Sequence, residues 1–218
     1  MARVSVVIPA RNEADFLAAT LRSVREQAGD GPDEVVVVDG DSDDATRSIA
    51  RRFDATVVQG GGRGIGHARD EGADATSGEW LVFVDADTRL EDTYLETMLD
   101  FARERDLVGA AARCRMRETW RAKPMEATIN YLFPRLDRPI LPGFNCVVRR
   151  SAYEAVGGFP NVPNEDTAFS RRLATYGDTA YHPRRLAETS ARRIVDLGLT
   201  GTLLYYLRLD VARLRAEY

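Results

Sequence analysis

The chain has 218 residues, which is enough for one domain with a substantial buried core. Its hydrophobic content of 44% and charged content of 29% are typical of a folded globular protein and exclude a disordered chain. The formal net charge is −4, so no excess of positive charge is available to release counterions from a phosphate backbone. We therefore expect a single domain over residues 1–218 that has no nucleic acid partner.

No segment of the sequence predicts secretion or a membrane span. Cys114 and Cys146 are the only cysteines and lack the spacing of a zinc site, so we expect reduced thiols. The chain runs from Met1 almost directly into an apolar strand, unlike a signal peptide. No apolar run reaches the roughly 18 to 20 residues needed to cross a bilayer. These features predict a cytoplasmic protein, with peripheral contact at the inner face of a membrane as an open alternative.

Apolar, β-branched runs alternate with segments of helical periodicity over the first half of the chain. Residues 4–8 form a continuous run of the kind found in strands buried on both faces of a parallel sheet. Apolar residues at helical spacing then predict a helix over 13–28. The alternation continues with strands predicted at 35–38, 55–58, 80–84 and 108–114, and helices at 43–52, after 60–66 and at 91–105. This order predicts an α/β domain with a mostly parallel central sheet between two helical layers.

The alternation breaks at Trp120, where prolines and aromatic residues become frequent. A strand is predicted at 145–149, short helices follow it, and 199–217 has the periodicity of an amphipathic helix. We divide the predicted domain into a first half (1–116), a second half that builds one wall of a cleft (117–197) and a C-terminal helix (198–218). Ligands of such folds bind beyond the carboxyl ends of the strands, so the residues after each strand are the candidates for a site.

Polar and acidic clusters follow three predicted strands, at 9–13, 39–44 and 85–87. Carboxylates that lie this close repel one another unless a cation or hydrogen-bond donors neutralise them. Mg²⁺ and Mn²⁺ take oxygen ligands, commonly one or two carboxylates together with substrate phosphates. A divalent cation shared with a diphosphate is the simplest explanation for Asp85 and Asp87. For residues 41–44, an equal alternative is that Asp43 or Asp44 caps the next helix.

Five short motifs occur in order along the chain. They are VVIPARNE at 6–13, VVDGDSDDAT at 37–46, GEWLVFVDAD at 78–87, VGGFP at 156–160, and Glu165 with Asp166. Each is weak alone, but together they resemble glycosyltransferase family 2 over residues 4 to about 177. The resemblance implies a nucleotide-diphospho-sugar transferase with the GT-A fold, a Rossmann-like three-layer sandwich.

The resemblance also implies a reaction and a set of roles. A sugar would pass, with inversion, from a nucleoside-diphosphate sugar to a hydroxyl of a glycan or lipid-linked acceptor. Asp87 would bind Mn²⁺ or Mg²⁺ between the donor phosphates, Asp85 would face the ribose, and Asp39 would reach the base. The residues implied in nucleotide-sugar binding are Pro9, Ala10, Arg11, Glu13, Asp39, Asp41, Arg69, Asp85, Ala86, Arg192 and Arg193. The alternative for Arg69 is a solvated helix position, and for Arg192 and Arg193 it is exposed strand residues.

Glu165 and Asp166 resemble the base motif of the family. Asp166 occupies the second position and is the expected catalytic base, which takes the proton of the acceptor hydroxyl. The alternative is that Asn164 caps a helix whose positive end favours both acids. Some GT-A enzymes complete the metal shell with a late histidine, which makes His182 a candidate second metal ligand. A structural role is the alternative for this histidine.

Residues 60–66, GGGRGIG, resemble the dinucleotide loop of short-chain dehydrogenases, the best alternative from another enzyme class. That loop should follow the first strand, whereas two strand–helix units precede it here. Lys123 is the only lysine and position 119 is threonine, so the Tyr-x-x-x-Lys pair of that family is impossible. A sugar-1-phosphate nucleotidyltransferase would need a glycine-rich loop after the first strand, and 9–13 has no glycine. A non-catalytic nucleotide-sugar-binding module of the same fold is a further alternative.

Two features of the second half concern the acceptor. Aromatic residues between 120 and 143 are suited to stacking on a sugar, covering a lipid or packing in the core. The helix at 199–217 carries leucines and tyrosines among arginines. It is suited to an anionic membrane surface, to docking on the domain or to dimerisation, and the sequence leaves these alternatives open.

Overall fold

The computed structural model describes residues 3–217, with side chains described up to Arg213. Within this range one sheet contains eight strands. They are β1 (Val4–Ala10), β2 (Glu34–Asp39), β3 (Thr56–Gln59), β4 (Trp80–Val84), β5 (Arg89–Leu90), β6 (Gly109–Met116), β7 (Asn145–Arg149) and β8 (Thr179–Thr189). The strand order is β3-β2-β1-β4-β7-β6-β8-β5. Strands β1 to β4 are mutually parallel, β7 is antiparallel to β4 and β6, and β8 is parallel to β6.

Helices connect and cover the strands. They are α1 (Leu17–Arg25), α2 (Thr46–Arg52), α3 (Ile65–Asp74), α4 (Tyr94–Glu104), α5 (Lys123–Ala127), α6 (Arg150–Ala155), α7 (Glu165–Tyr176) and α8 (Arg192–Glu217). A 3₁₀ turn (Trp120–Ala122) precedes α5, and a π-helical turn (Thr128–Leu132) and a second 3₁₀ turn (Phe133–Arg135) follow it. Gly198 has φ 70° and ψ 169°, which interrupts α8.

Buried side chains form a core on each face of the sheet. Val6 and Ile8 of β1 belong to the core under α1, α2 and α4. Val7, between them, belongs to the core under α3, α6 and α7, because successive side chains of a strand point to opposite faces. The predicted three-layer α/β sandwich with a mostly parallel sheet is confirmed.

Several predicted boundaries need correction. The helix predicted over 13–28 is α1, which is shorter because residues 13–16 form a separate turn in which the Glu13 carbonyl accepts hydrogen bonds from Phe16 and Leu17. The last helix begins at Arg192, not at 199. Arg192 and Arg193 therefore lie on a helix, and the alternative that described them as strand residues is wrong. The strand predicted at 145–149 is β7, but its antiparallel direction could not be predicted, because an apolar run carries no information about strand direction.

The topology brings many chain segments to one edge of the sheet. The parallel strands β1, β2 and β4 end there, and so do β6 and β8, which run in the same direction. Strand β7 starts at this edge, since Asn145 is paired with Val84 at the end of β4. The residues that follow five strands and precede a sixth can thus meet in one cleft.

No helix within residues 3–217 combines the length and the apolar composition needed to cross a bilayer. Cys114 and Cys146 are both buried and free, as expected from their spacing.

Candidate active site

A cleft of about 1110 Å³ lies over the carboxyl edge of the sheet. It contains twelve of the fifteen residues that the sequence assigns to a site. These are Pro9, Ala10, Arg11, Glu13, Arg69, Asp85, Ala86, Asp87, Glu165, Asp166, Arg192 and Arg193. Asp39, Asp41 and His182 do not line the cleft. The cleft thus brings together turns that are up to 184 positions apart, Pro9 and Arg193 being the first and last of the twelve.

Arg69 on α3 joins two separate parts of the cleft. Its side chain is 3% exposed, with Nη2 2.9 Å from Asp85 Oδ1 and Nη1 2.6 Å from Glu165 Oε1. Burial opposes its protonation, but the carboxylates of Asp85 and Glu165 outweigh this and raise the pKa of the guanidinium. The alternative of a solvated helix residue is therefore wrong. The Arg69 bridge ties the turn after β4 to the start of α7.

Gly143, in the loop before β7, leaves the space that the Arg69 guanidinium occupies. A Cβ at this position would lie 2.3 Å from Arg69 Nη2, and the hydrogen-bonded guanidinium has little freedom to withdraw. We expect Gly143→Ala to break the Arg69 bridge and to lower the free energy of unfolding by about 1–3 kcal/mol, measured by urea denaturation. Gly61→Ala is the control, because a Cβ there meets only the exposed side chain of Arg63. Equal stability of the two variants would contradict the packing of Arg69 against Gly143.

Asp166 lies beside this bridge, in the first turn of α7. Burial, followed by repulsion from Glu165, raises the pKa of its carboxyl group to about 6, although Arg69 opposes the shift. One oxygen accepts a hydrogen bond of 2.7 Å from the Thr167 backbone N–H. The side chain of Asn164 does not cap α7, since it donates to Asp210 Oδ1 at 2.8 Å. The alternative of Asn164 as a helix cap is therefore wrong.

A second charged cluster surrounds Asp87. Arg192 makes two hydrogen bonds to the Glu13 carboxylate, and its Nη2 lies 3.4 Å from Asp87 Oδ2. The guanidinium also lies over the ring of Phe16, 4.9 Å from its centroid. Burial and the nearby Asp85 raise the pKa of Asp87 to about 6, and Arg192 opposes this shift. Glu13, Asp85 and Asp87 thus form an electronegative cluster in which a guanidinium supplies the neutralising cation.

Three carboxylates in one cluster are the oxygen donors that a hard divalent cation prefers. Among the described residues, however, no group of three or more His, Cys, Asp or Glu side chains is arranged to enclose a metal ion. The described side chains therefore do not enclose a metal ion by themselves.

The prediction that His182 is a second metal ligand needs correction, because His182 does not line the cleft. It lies early in β8 with its ring edge-on to Phe101, 5.0 Å between centroids, and its Nδ1 accepts a hydrogen bond from Arg184 N. Thr189, at the end of the same strand, is the residue that approaches Asp87, 3.5 Å from hydroxyl to carboxylate. The strand is irregular between these two positions, which pair with Ala112 and Met116 of β6, and four residues of β6 span about 13 Å. A structural role against α4 explains this histidine.

Three aspartates at and just after the end of β2, Asp39, Asp41 and Asp44, have different surroundings. Asp39 is fully buried, and its Oδ2 accepts from Ser42 N and lies 3.6 Å from Arg47 Nη1. Its Oδ1 is buried without a hydrogen-bond partner, and the neighbours of Asp39 along the chain, Val38 and Gly40, line the cleft. Asp41 has φ 61° and accepts from Gln59 outside the cleft. Asp44 accepts from the backbone and hydroxyl of Thr46, so a local role at the start of α2 holds for this residue.

The glycine-rich segment 60–66 contributes to the lining of the cleft, with Gly60 close to the end of β2. Gly62 and Gly64 have φ of 63° and 112°, conformations that favour glycine. The segment follows β3, at the edge of the sheet, and not the first strand. Its position therefore differs from that of a dinucleotide loop, as the sequence predicts.

The comparison with protein families decides the assignment of the chain. The family model described as Glycosyl transferase family 2 matches residues 5–157. The chain belongs to glycosyl transferase family 2. The match ends before Glu165 and Asp166, so the assignment of the base in this family 2 chain depends on the geometry of the cleft and on the resemblance of that pair.

Two curated relatives of the family 2 chain are both 28% identical to it. The putative glycosyltransferase EpsH of Bacillus subtilis aligns over 169 residues, 70% of this chain and 48% of the relative. Glycosyltransferase AglE of Haloferax volcanii aligns over 194 residues, 80% of this chain and 62% of the relative. The chain thus spans about half to under two thirds of the length of these relatives.

Solved structures share the fold. A mannosyltransferase from Pyrobaculum calidifontis, in complex with GDP-Man and Mn²⁺, has a TM-score of 0.73 and 25% identity, covering 95% of this chain and 64% of that one. S. aureus TarS 1–349, in complex with UDP, has a TM-score of 0.71 and 20% identity, covering 87% of this chain and 60% of that one. Both likenesses support the GT-A architecture of the family 2 chain.

Two contributions to the site were missed by sequence reasoning. Arg117 donates from Nη2 to the Asp87 carbonyl at 2.6 Å, which holds the acidic turn in place. Asp70 accepts from the Tyr153 hydroxyl and from Phe159 N, and Phe159 lies 5.1 Å from the Arg69 guanidinium. The VGGFP motif therefore positions Arg69. Arg117 directly follows β6, which ends at Met116. The strand predicted at 108–114 ends two residues earlier, so the sequence does not place Arg117 directly after a strand.

Proposed function

We propose that this chain transfers a sugar from a nucleoside-diphosphate sugar to a hydroxyl of a glycan or lipid-linked acceptor, with inversion at the anomeric carbon. The observation that carries the proposal is the Arg69 bridge. It ties Asp85 to Glu165 and so brings Asp166, a carboxylate whose pKa is about 6, into the cleft that also contains Asp87. A candidate base and a candidate phosphate site thus share one cavity, as a transfer between two bound substrates requires.

The nucleoside would bind between the turn after β1 and the loop at 60–66. Pro9, Ala10 and Arg11 form one wall of this part of the cleft. Asp39 is the proposed contact to the base, and its unpartnered buried Oδ1 supports this role, because a buried acceptor without a donor is costly unless a ligand supplies one. Asp85 would accept from the ribose, and Asp41 would contribute only at the rim, where it is exposed.

The diphosphate would lie near Asp87, Arg192 and Arg193. Asp87, with Glu13 and Asp85 close by, would hold Mn²⁺ or Mg²⁺ through carboxylate oxygens. The Mn²⁺ in the mannosyltransferase complex supports this choice of ion. When bound, such a cation supplies positive charge to the phosphate oxygens of the departing nucleoside diphosphate. Arg192 would add a guanidinium suited to bidentate phosphate binding, turned from Glu13 and Asp87 toward the phosphates.

Asp166 would act as the base. In its ionised form it accepts the proton of the acceptor hydroxyl while that oxygen forms a bond to the anomeric carbon. The bond from this carbon to the phosphate oxygen breaks, and its electron pair leaves with the nucleoside diphosphate. Attack opposite the leaving group inverts the configuration, and the proton passes from Asp166 to solvent.

The pH dependence of transfer follows from the state of Asp166. Burial raises its pKa to about 6, and only the ionised carboxylate accepts a proton. We expect kcat/KM to be constant above about pH 7 and to fall as the pH is lowered through about 6. Initial rates in a constant-ionic-strength buffer series measure this. A rate that increases as the pH falls through the same range would contradict a carboxylate base.

Nucleotide binding tests the proposed donor class. We expect UDP, GDP or CDP to raise the melting temperature of the chain in the presence of Mn²⁺ and to have little effect in its absence. NAD, added in the same way, is the control for the dehydrogenase-like segment at 60–66. Stabilisation by NAD but by none of the nucleoside diphosphates would contradict the proposal.

A further inference from the structure

The lining of the cleft contains two sets of side chains of different chemistry, which we call the donor arm and the apolar arm. The donor arm contains the carboxylates and arginines described above. The apolar arm consists of side chains from α5, from the turns that follow it, from the loop before β7 and from α8. Its residues are Met125, Ile129, Phe133, Phe144, Leu199 and Leu203. Asp166 lines the same cavity, so a molecule in the apolar arm has access to the proposed base.

The wall of the apolar arm is fixed to the sheet. Asn130, in the π-helical turn, donates from Nδ2 to the Cys114 carbonyl and accepts from Cys114 N, both at 2.8 Å. Glu126 accepts from Met116 N at 2.8 Å. These bonds hold α5 and the turn against the end of β6, and Ile129 of this turn is part of the cleft lining. π-helical turns occur frequently at functional sites. The wall is thus a preformed surface.

Helix α8 exposes many of its apolar side chains, although Ile194 near its start is buried against Ala122 and Ala191. Thr202 is buried and bonds the Arg193 and Gly198 carbonyls, whereas Leu203 is 61% exposed although it lines the cleft. Trp120 and Leu132, in the turns before and after α5, are also exposed, at 79% and 55%. Of these three exposed apolar side chains, Leu203 is the one at the cleft, where it is available to a ligand.

We propose that the acceptor is an amphiphile whose hydroxyl-bearing head reaches Asp166 and whose hydrocarbon part lies in the apolar arm. This inference rests on the proposed function and names the acceptor class. A glycan in the same place would bring hydroxyl groups against Met125, Ile129 and Phe133, which offer them no hydrogen bonds, at a cost in free energy. A hydrocarbon chain gains free energy from the same contacts.

Alkyl β-D-glucosides of increasing chain length test this inference. Their dissociation constants are measured by calorimetry below the micelle concentration, with GDP or UDP and Mn²⁺ present and with methyl β-D-glucoside as the sugar-only probe. We expect affinity to rise by about 4-fold for each buried CH₂ group. Methyl glucoside binding as tightly as octyl glucoside would overturn the inference.

Two adjacent residues of α8 provide matched variants. Leu203 lines the cleft, whereas Leu204 is 49% exposed and is not part of its lining. We expect Leu203→Asp to abolish the dependence on chain length and Leu204→Asp to retain it. Phe133→Ser, in the segment after α5, should resemble Leu203→Asp. Equal losses in Leu203→Asp and Leu204→Asp would overturn the inference, because they would indicate adsorption of the alkyl chain to the outer face of α8.

Nucleotide binding separates this inference from the proposed function. GDP and UDP binding with Mn²⁺ is measured in both helix variants and in the wild type. Retained nucleotide binding together with no chain-length dependence would contradict the amphiphilic acceptor alone. No metal-dependent nucleotide binding in the wild type would contradict the proposed function itself.

Discussion

Replacement of Asp166 by asparagine is expected to lower kcat by about 10³-fold, which is the usual contribution of a positioned general base. Asparagine keeps the shape of the side chain and the oxygen that accepts from Thr167 N, but it cannot take a proton. In the proposed complex, the donor and the metal contact other residues of the cleft. We therefore expect Mn²⁺-dependent GDP or UDP binding, measured by calorimetry, to remain near that of the wild type.

The stability of this variant provides an internal control. Burial raises the pKa of Asp166 to about 6. Its contribution to the free energy of unfolding is therefore full below the pKa of the unfolded state and is lost as the pH rises through about 6. At about pH 7.5 the asparagine variant should be at least as stable as the wild type. Asp178→Asn, an exposed carboxylate beyond α7, should leave kcat unchanged. Loss of nucleotide binding in Asp166→Asn would contradict the assignment of the base.

Replacement of Asp87 by alanine is expected to remove the metal-dependent part of nucleotide binding. Asp87 is the proposed metal ligand, and burial together with Asp85 makes its negative charge costly unless a cation is near. We expect the affinity for GDP or UDP with Mn²⁺ to fall by at least about 100-fold, to the value measured in EDTA. Electron paramagnetic resonance of Mn²⁺ measures the loss of metal binding, and calorimetry measures the loss of nucleotide affinity.

A matched carboxylate tests whether the effect is specific. Asp100 is an exposed residue of α4, 3.8 Å from Arg103. Asp100→Asn should bind the nucleotides with Mn²⁺ as the wild type does. Retention of metal-dependent binding in Asp87→Ala would contradict the proposed metal site, since Asp87 is the carboxylate that the proposal places on the metal.

The turns after β1 and β4 could be predicted to form the centre of the site. The strands before them are unmistakable apolar runs, and the alternation of strands and helices predicts a parallel sheet whose strands end at one edge. Glu13 and Asp87 follow such strands directly. The structure confirms that they meet, through Arg192, in one cleft.

The buried position of Arg69 and its packing against Gly143 could not be predicted from the sequence. Arg69 meets Glu165 across 96 positions of sequence, and its burial depends on how α3, α7 and the loop before β7 pack together. A charged residue on a helix is usually solvated, so its residue type alone favours the wrong answer. The space left by Gly143 is likewise visible only once the guanidinium has been placed.

His182 shows a different kind of error. Its residue type is that of a metal ligand, and its strand does lead to the site, but β8 is 11 residues long and the histidine lies near its beginning. A strand of unknown length does not specify which residue reaches the edge of the sheet. Thr189, at the end of β8, reaches Asp87 instead.

Turnover of a donor tests the central claim most directly. The wild type is incubated with a panel of UDP-, GDP- and CDP-sugars, with Mn²⁺ and with octyl β-D-glucoside as acceptor, and the released nucleoside diphosphate and glycosylated product are quantified. We predict turnover of at least one donor, its loss in EDTA, and its loss in Asp166→Asn with donor binding retained. Equal turnover by the wild type and Asp166→Asn, or no turnover together with no metal-dependent nucleotide binding, would contradict a transferase centred on Asp87 and Asp166.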